Sequence, residues 1–108
     1  MEIRRDVFQA IADPTRRSIL SMLAAKPKNL NAIAEQFEMT RQAVSLHVKI
    51  LAECGVIAIN RNGRERLCNL RPQKLTEVAD WLYPFIQMWD DRFNQLDNVL
   101  GKLKHKKK

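Results

Sequence analysis

The 108-residue chain has few of the residue types that build metal, redox or phosphate-binding sites. It contains two cysteines, Cys54 and Cys68, with no Cys-x-x-Cys pair, so it has neither a disulfide framework nor the spacing of a zinc site. A redox switch between these thiols stays an alternative, although neither has an activating motif. The three glycines form no phosphate-binding loop, and no Ser–His–acid set stands out. We therefore predict that the protein is not an enzyme and needs no cofactor.

Long apolar runs are also missing. No run is long enough to span a membrane, and the N-terminus lacks the pattern of a signal peptide, so we expect a cytoplasmic protein with no membrane partner. Hydrophobic residues still make up 45% of the chain, which argues against disorder, and the length suits one domain. We expect this domain to cover residues 1–101, with residues 102–108 as a flexible basic tail.

Acidic residues are outnumbered by basic ones, 12 against 19, which gives a formal net charge of +7. A small basic domain is a candidate nucleic-acid binder, because neutralised phosphates supply most of the non-specific affinity. The lysines of the tail can be explained as a solubilising end. An internal cluster is more informative, since it sets five basic residues against the single acid Glu65. Its members are Arg61, Arg64, Arg66, Arg71 and Lys74.

Residues 40–54 are predicted to form one helix with two unlike faces. Thr40 suits the N-cap, and Gly55 suits the left-handed residue that ends many helices. Helical periodicity places Val44, Val48 and Leu51 on a buried side. The opposite side is polar and basic, which suits a helix in the DNA major groove, although an ordinary amphipathic surface helix is the alternative. That side carries Gln42, Ser45, Leu46 and Lys49.

Three shorter helices are predicted before this one, over residues 3–12, 14–25 and 30–37. Asn31 is the expected cap of the third, and residues 38–40 are expected to form a tight turn into the helix at Thr40. A short helix, a turn and a helix with a polar face make a helix-turn-helix. Arg16 and Arg17 in the second helix fit a solvated surface equally well as a phosphate contact or a salt bridge.

After Gly55 the pattern changes to a β-hairpin. A β-branched run over residues 56–59 precedes Asn62-Gly63, the strongest two-residue hairpin signal. A turn at these two residues would place Arg61 opposite Arg64 and Ile59 opposite Arg66. Like charges facing each other destabilise a hairpin, and a phosphate backbone would compensate. We interpret the hairpin as the wing of a winged helix-turn-helix, with a solvated basic turn as the alternative.

The chain is predicted to become helical again from Pro72. Pro84 is expected to end or kink that helix, with a longer helix starting there. Apolar residues then recur at alternating spacings of four and three, which is a heptad seam. This seam could pack on its own domain, but we favour a homodimer built from the first and last helices, since two-fold symmetry presents two recognition helices to half-sites one turn apart. The predicted dimerisation residues are Ile3, Val7, Ile11, Leu82, Ile86, Trp89, Phe93, Leu96 and Leu100.

Three motifs resemble the ArsR-type winged-helix transcriptional repressors. Residues 11–20, IADPTRRSIL, resemble their opening motif, and residues 42–51, QAVSLHVKIL, their recognition helix. Residues 52–57 are similar to their link to the wing, and residues 81–100 to the aromatic last helix of a non-metal-sensing branch. The resemblance implies a mainly α fold with a small β-hairpin, five to six helices, and dimerisation through the N- and C-terminal helices. It also implies a cytoplasmic homodimer that binds a palindromic operator and represses transcription.

Metal sensing is not expected within this resemblance. Metal-sensing members carry paired cysteines in the helix before the recognition helix, and residues 30–37 contain none. Other members place histidine and acidic ligands on the dimer helices. Here the last helix offers Asp90, Asp91 and Asp97 but no histidine before His105. We predict no metal ligand, and the inducer stays unassigned.

The predicted DNA-binding residues fall into base-reading and backbone-binding groups. Gln42 and Ser45 are expected at base edges, and Leu46 meets a thymine methyl or is simply exposed. His47 lies on the flank of the helix, where a structural hydrogen bond is favoured slightly over a DNA contact. The remaining residues are expected at phosphates, with a guanine edge open to the first-turn arginine and the minor groove open to the wing arginines. These are Thr40, Arg41, Lys49, Arg61, Arg64 and Arg66.

Two other functions fit parts of the sequence. A non-specific DNA-binding protein would explain the charge and the lysine tail. A winged-helix protein-interaction module would explain the apolar seam but not the basic wing. A sequence-specific repressor accounts for the charge, the apolar seam and the basic wing.

Overall fold

A computed structural model describes the backbone of residues 5–107 and their side chains except those at 62, 93 and 95–107. These residues form five α-helices, a short 3-10 helix and a three-stranded antiparallel sheet of order β1-β3-β2, which confirms the predicted mainly helical fold with a hairpin. The chain divides into two compact units, residues 1–77 and residues 78–108. None of the described helices is both long and apolar enough to cross a membrane. The elements are α1 (Val7–Ile11), α2 (Pro14–Ala25), β1 (Lys28–Asn29), α3 (Leu30–Ala34), α4 (Arg41–Glu53), β2 (Ile57–Asn62), β3 (Glu65–Leu70), the 3-10 helix (Pro72–Leu75) and α5 (Thr76–Lys107).

Local capping residues set the starts of α1 and α2. The Oδ1 atom of Asp6 accepts from the N–H of Gln9 at 2.8 Å, so α1 begins later than the predicted residue 3. The Oδ2 atom of Asp13 accepts from the N–H of Arg16 at 3.0 Å, and Pro14 occupies the first helical position. Proline is tolerated there because that N–H has no helical partner. The bounds of α2 are those predicted.

Arg16 and Arg17 bind the carboxyl end of α1. Arg16 is buried, and its guanidinium donates from Nε to the Ala10 carbonyl at 3.1 Å and from Nη2 to the Gln9 carbonyl at 2.9 Å. Arg17 donates from Nη1 to the Ile11 carbonyl at 2.7 Å. A cation at a helix C-terminus satisfies orphan carbonyls and favours the helix dipole. None of the roles predicted for Arg16 is correct, because backbone carbonyls take the place of a phosphate or an acid.

The first helix of the helix-turn-helix is shorter than predicted. Asn29 caps α3 with its Oδ1 atom accepting from the N–H of Ala32 at 2.8 Å, so the prediction of Asn31 as the cap is wrong. After Ala34 the backbone bonds join residues three apart, which tightens the chain into turns before residue 37. The connection to α4 is therefore longer than three residues. Residues 28 and 29, which lie between two predicted helices, pair with β3.

The wing, defined here as β2, β3 and their connecting turn, has a register different from the predicted one. Arg61 pairs with Arg66 and Asn62 with Glu65, so the two loop residues are Gly63 and Arg64. Gly63 has φ of +68°, which type II′ turns require at their first loop position. The predicted pairs of Arg61 with Arg64 and of Ile59 with Arg66 are wrong. Two arginines still face each other across the strands.

The first unit has a core to which all four of its α-helices and the wing contribute. The predicted inward side of α4 is confirmed, since Val44, Val48 and Leu51 are at most 4% exposed. Gly55 has φ of +81°, as expected of the residue that follows the helix. The core residues are Val7, Ala10, Ile19, Leu20, Leu23, Ile33, Val44, Val48, Leu51, Cys54, Val56, Ile57 and Cys68.

Helix α5 runs through Pro84 without ending, so the predicted division into two helices is wrong. Proline fits the helical φ and forfeits one backbone hydrogen bond, and the helical segments on both sides outweigh that loss. The predicted boundary between residues 101 and 102 falls inside this helix. The flexibility of the tail stays a prediction.

Candidate nucleic-acid interface

The outward side of α4 presents polar side chains from a helix that is capped as predicted. The Oγ1 atom of Thr40 accepts from the N–H of Ala43 at 3.1 Å. Gln42, Ser45 and Lys49 are exposed, and Leu46 is 58% exposed. Because Val44 and Val48 anchor the opposite side in the core, these side chains point away from the core.

The basic side chains on this surface lack partners within the described part of the chain. Five side chains make no hydrogen bond or ion pair with any described residue: those of Arg41 and Lys49 on α4 and of Arg61, Arg64 and Arg66 on the wing. Arg61 and Arg66 occupy directly opposed positions, where like charges destabilise a strand pair. The fold alone therefore gives no compensation for this charge.

A cleft lies between α4 and the wing. It has a volume of about 210 Å³, and its walls include Arg41 from the first turn of α4 and Arg64 and Arg66 from the wing. Among the described residues that line this cleft, Glu65 is the only acid, and its Oε1 atom accepts from the Asn29 Nδ2 atom at 3.4 Å. A neighbouring cavity shares Arg41 and Arg66 and adds Gln42 and Ser45. Five of the predicted DNA-binding residues thus line these two cavities: Arg41, Gln42, Ser45, Arg64 and Arg66.

Sequence reasoning missed three residues that line the cleft between α4 and the wing. Asn29, Leu30 and Asn31 also line the cleft, because β1 pairs with β3 and draws the start of α3 toward the wing. A two-residue strand carries no periodic signal, so nothing in the sequence placed these residues beside the arginines.

His47 turns toward the start of α2. Its Nδ1 atom lies 3.8 Å from the Asp13 Oδ2 atom, which is too long for a hydrogen bond, and it has no hydrogen-bond partner among the described residues. The predicted structural hydrogen bond is therefore absent. Partial burial pushes the pKa of Asp13 upward, but the Arg16 N–H bond and the nearby His47 and Arg16 charges outweigh it, and the pKa lies below its usual value.

The predicted dimerisation residues divide by location. Val7 is fully buried in its own chain, so it has no surface to offer a partner, and Ile11 is half-buried. In the second unit Leu82 is half-buried, while Ile86 and Trp89 are 37% and 54% exposed. Ile3 lies outside the described residues, as do the side chains of Phe93, Leu96 and Leu100.

Helix α5 exposes a second apolar stripe that the heptad analysis did not include. Trp81, Phe85 and Met88 are each at least 44% exposed, and the Trp81 and Phe85 ring centroids are 5.1 Å apart. These residues lie at spacings of four and three, beside the predicted seam. The spacing of four and three is visible in the sequence. It was missed because only one apolar seam was assigned to this helix.

The cysteines and acids of the described residues form no metal site. No group of three or more His, Cys, Asp or Glu there could hold a metal ion. Burial raises the pKa of the Cys54 thiol and of the Cys68 thiol, so both are protonated at neutral pH.

Comparison with known proteins gives consistent matches. A family of helix-turn-helix domains matches residues 11–59. The transcriptional repressor SdpR of Bacillus subtilis is 35% identical over 86 residues, which cover 80% of this chain and 96% of that protein. The crystal structure of an ArsR family transcriptional regulator superposes with a TM-score of 0.68 at 34% identity, covering 77% of this chain and 86% of that one.

A third match concerns the fold. The homodimeric winged helix-turn-helix DNA-binding domain of Mb0332 from Mycobacterium bovis, known from a solution NMR structure, has a TM-score of 0.59 at 23% identity. The match covers 77% of this chain and 73% of that one. The pairing of α3 and α4 with a β-hairpin is thus an arrangement found in known DNA-binding domains.

Proposed function

Because the chain belongs to the ArsR family of winged helix-turn-helix transcriptional regulators, we propose that it represses transcription by binding a palindromic operator as a cytoplasmic homodimer. Membership of this family establishes that the chain is a DNA-binding transcriptional regulator. The operator symmetry, the homodimer and the contact residues are the proposal, and the surfaces described above support them.

The observation that carries the proposal is the arginine cleft between α4 and the wing. Three guanidinium groups line about 210 Å³ with one carboxylate, and none of the three has a partner in the described chain. Positive side chains that line one cleft attract an anion. A DNA phosphate in the cleft would release counterions, which is the main source of affinity for DNA.

Each side chain then has a defined task. Gln42 and Ser45 read base edges, since glutamine pairs bidentately with adenine and serine donates or accepts. Lys49 and Thr40 bind phosphates beside them, and Leu46 meets a thymine methyl. The wing arginines take phosphates or enter a narrow minor groove. His47 is the weakest member of the predicted set, because its Nδ1 atom faces Asp13.

The apolar side chains of α5 support the homodimer. Ile86 and Trp89 are exposed in a single chain, and covering them removes apolar area from water. A related fold is known as a homodimer. Two-fold symmetry would set two α4 helices about one DNA turn apart, which matches a palindrome.

Two substitutions on α4 separate base reading from backbone binding. We expect Gln42→Ala to relax the preference at one base pair by about 1–3 kcal/mol, because a bidentate contact is lost. Lys49→Ala, the matched control on the same side, should weaken every sequence alike. Fluorescence anisotropy on DNA fragments selected from the protein's own genome measures both. A uniform loss from both variants would contradict the assignment of Gln42.

Removing the tail tests the non-specific alternative. A chain without residues 102–108 should keep its preference for the operator and lose affinity mainly at low salt, because screened charges act at short range. Complete loss of binding would favour a non-specific DNA-binding protein instead.

A further inference from the structure

A second cavity opens between the second half of α4 and the base of the wing. Its volume is about 400 Å³, within the range of small-molecule sites. It shares Leu30 and Arg66 with the arginine cleft but differs in character. Its apolar walls come from Leu30, Val48, Ala52, Ile59 and Cys68. We call it the helix–wing cavity.

The inner wall of the helix–wing cavity is apolar and uncharged. Val48 and Cys68 are 4% and 1% exposed, and Ile59 remains 40% exposed to water. Burial raises the pKa of the Cys68 thiol, so it behaves as a small apolar group at neutral pH. An apolar ligand body would therefore cover Ile59 without burying a charge.

The rim of the same cavity is positive. Lys49 and Arg66 line it, and within the described part of the chain neither has an ion-pair partner. Glu53 is the acid at the rim, and its Oε2 atom lies 3.4 Å from Nε of Arg5. Two cations against one acid that is already paired favour an anionic group at the mouth.

We propose that the helix–wing cavity binds a small amphipathic organic anion, an apolar body with one carboxylate, and that this ligand releases the protein from its operator. The second part rests on the proposed function. Ser45, Lys49 and Arg66 line the cavity and are also proposed DNA contacts. A ligand that uses these side chains competes with DNA, and linkage makes the competition reciprocal.

Binding is mapped without DNA. Octanoate is titrated into the nitrogen-15-labelled full chain, and amide shifts are followed by NMR. The shifts should concentrate at Ala52, Ile59 and Cys68, and 1-octanol, the uncharged control, should bind about tenfold more weakly. Shifts confined to the exposed aromatic residues of α5, no shifts, or equal affinity for octanol would overturn the proposal.

Filling the cavity provides a second readout. Ala52→Phe should lower octanoate affinity by about tenfold or more, since a phenyl group would occupy the apolar space. Ala24→Phe, the same change at an exposed alanine of α2, should leave the affinity unchanged. If Ala52→Phe fails to fold by circular dichroism, Ile59→Ser removes an apolar wall and should weaken octanoate likewise. Unchanged affinity in the folded cavity variant would contradict the assignment.

Competition tests the release of DNA. At an octanoate concentration of about ten times its own Kd, the operator Kd should rise about tenfold by mass action. Acetate at the same concentration controls for ionic strength. An equal effect of the two salts would overturn the release mechanism. A protein that shows no operator preference before octanoate is added would instead overturn the proposed function, while the NMR mapping would still decide the ligand site.

Discussion

At the scale of single residues, arginine side chains serve two different purposes in this protein. Arg16 is buried against carbonyl groups of α1, whereas Arg41 and Arg66 are exposed without partners in the described chain. The difference arises from neighbours. Arg16 lies beside the carbonyl groups at the end of α1, whereas Arg41 and Arg66 line a cleft in which no described side chain accepts a hydrogen bond from them.

Replacing Arg16 by methionine should lower the free energy of unfolding by about 2–3 kcal/mol. The change removes two hydrogen bonds from a charged group and leaves the Ala10 carbonyl without its guanidinium partner. The Gln9 carbonyl still accepts from the N–H of Ala12 at 3.3 Å. Urea denaturation measures the loss. Arg17→Met is the matched control and should cost less, because Arg17 is exposed and makes one such bond. Equal losses in the two variants would show that the buried hydrogen bonds of Arg16 stabilise the fold no more than the exposed bond of Arg17.

Asp13 should give α2 a pH-dependent stability. Its pKa is below the usual value in the folded state, so its contribution is present above the unfolded pKa and is lost as the pH falls through the folded one. We expect Asp13→Ala to cost about 1 kcal/mol at neutral pH, and less in acid. Urea denaturation across pH measures the difference from the parent.

Asp13→Asn is the control for that measurement. Asparagine is an equally good N-cap but has no charge, so its difference from the parent should depend on pH while capping is retained. If the cost of Asp13→Ala is the same at acidic and neutral pH, the charge of Asp13 does not contribute.

At the scale of elements, local signals predicted some parts and pairing decided others. The caps Asp13 and Thr40 and the terminator Gly55 act within a few residues, so α2 and α4 have nearly their predicted bounds. The loop position of the wing depends on which strand residues pair, and Asn62 turned out to end β2 instead of entering the turn.

The candidate site shows the same division. The arginines and the outward side of α4 could be identified from charge and periodicity. Their meeting in one cleft with Asn29 could not, because it requires β1 to pair with β3. The carboxyl-terminal capping by Arg16 was likewise hidden, since it depends on how α1 and α2 pack together.

The opposed arginines of the wing should lower the free energy of unfolding and raise the affinity for DNA. Arg61→Thr removes one of two opposed arginines, so we expect the free energy of unfolding to rise by a few tenths of a kcal/mol, up to about 1, while operator affinity falls. Thermal denaturation and anisotropy measure the two effects. Arg64→Thr is the control, because Arg64 lies in the turn and faces no arginine across the strands. It should weaken DNA binding without stabilising the fold.

At the scale of the whole molecule, a charge of +7 and an exposed apolar helix act on different partners. The charge attracts DNA at any sequence. In the proposed homodimer the apolar side chains of α5 would attract a second chain, and symmetry would convert one recognition helix into a pair. Specificity for a palindrome would then depend on both the charge and the pairing of chains.

Ile86→Asp should separate the two properties. A charge on the apolar side of α5 opposes its burial, so light scattering should give the 12.6 kDa of one chain where the parent gives twice that mass. Operator affinity should fall with it. Gln87→Asp, at the neighbouring exposed position, should remain a dimer. A parent protein that scatters as one chain would contradict the homodimer.

We propose above that α4 and the wing recognise a particular DNA sequence. The direct test is the ratio of two Kd values at one salt concentration, for a genome-selected fragment and for a scrambled fragment of equal length and base composition. We predict that the selected fragment binds about a thousandfold more tightly or better, as specific regulators do. Equal affinity for the two fragments would show that the protein does not recognise a particular sequence.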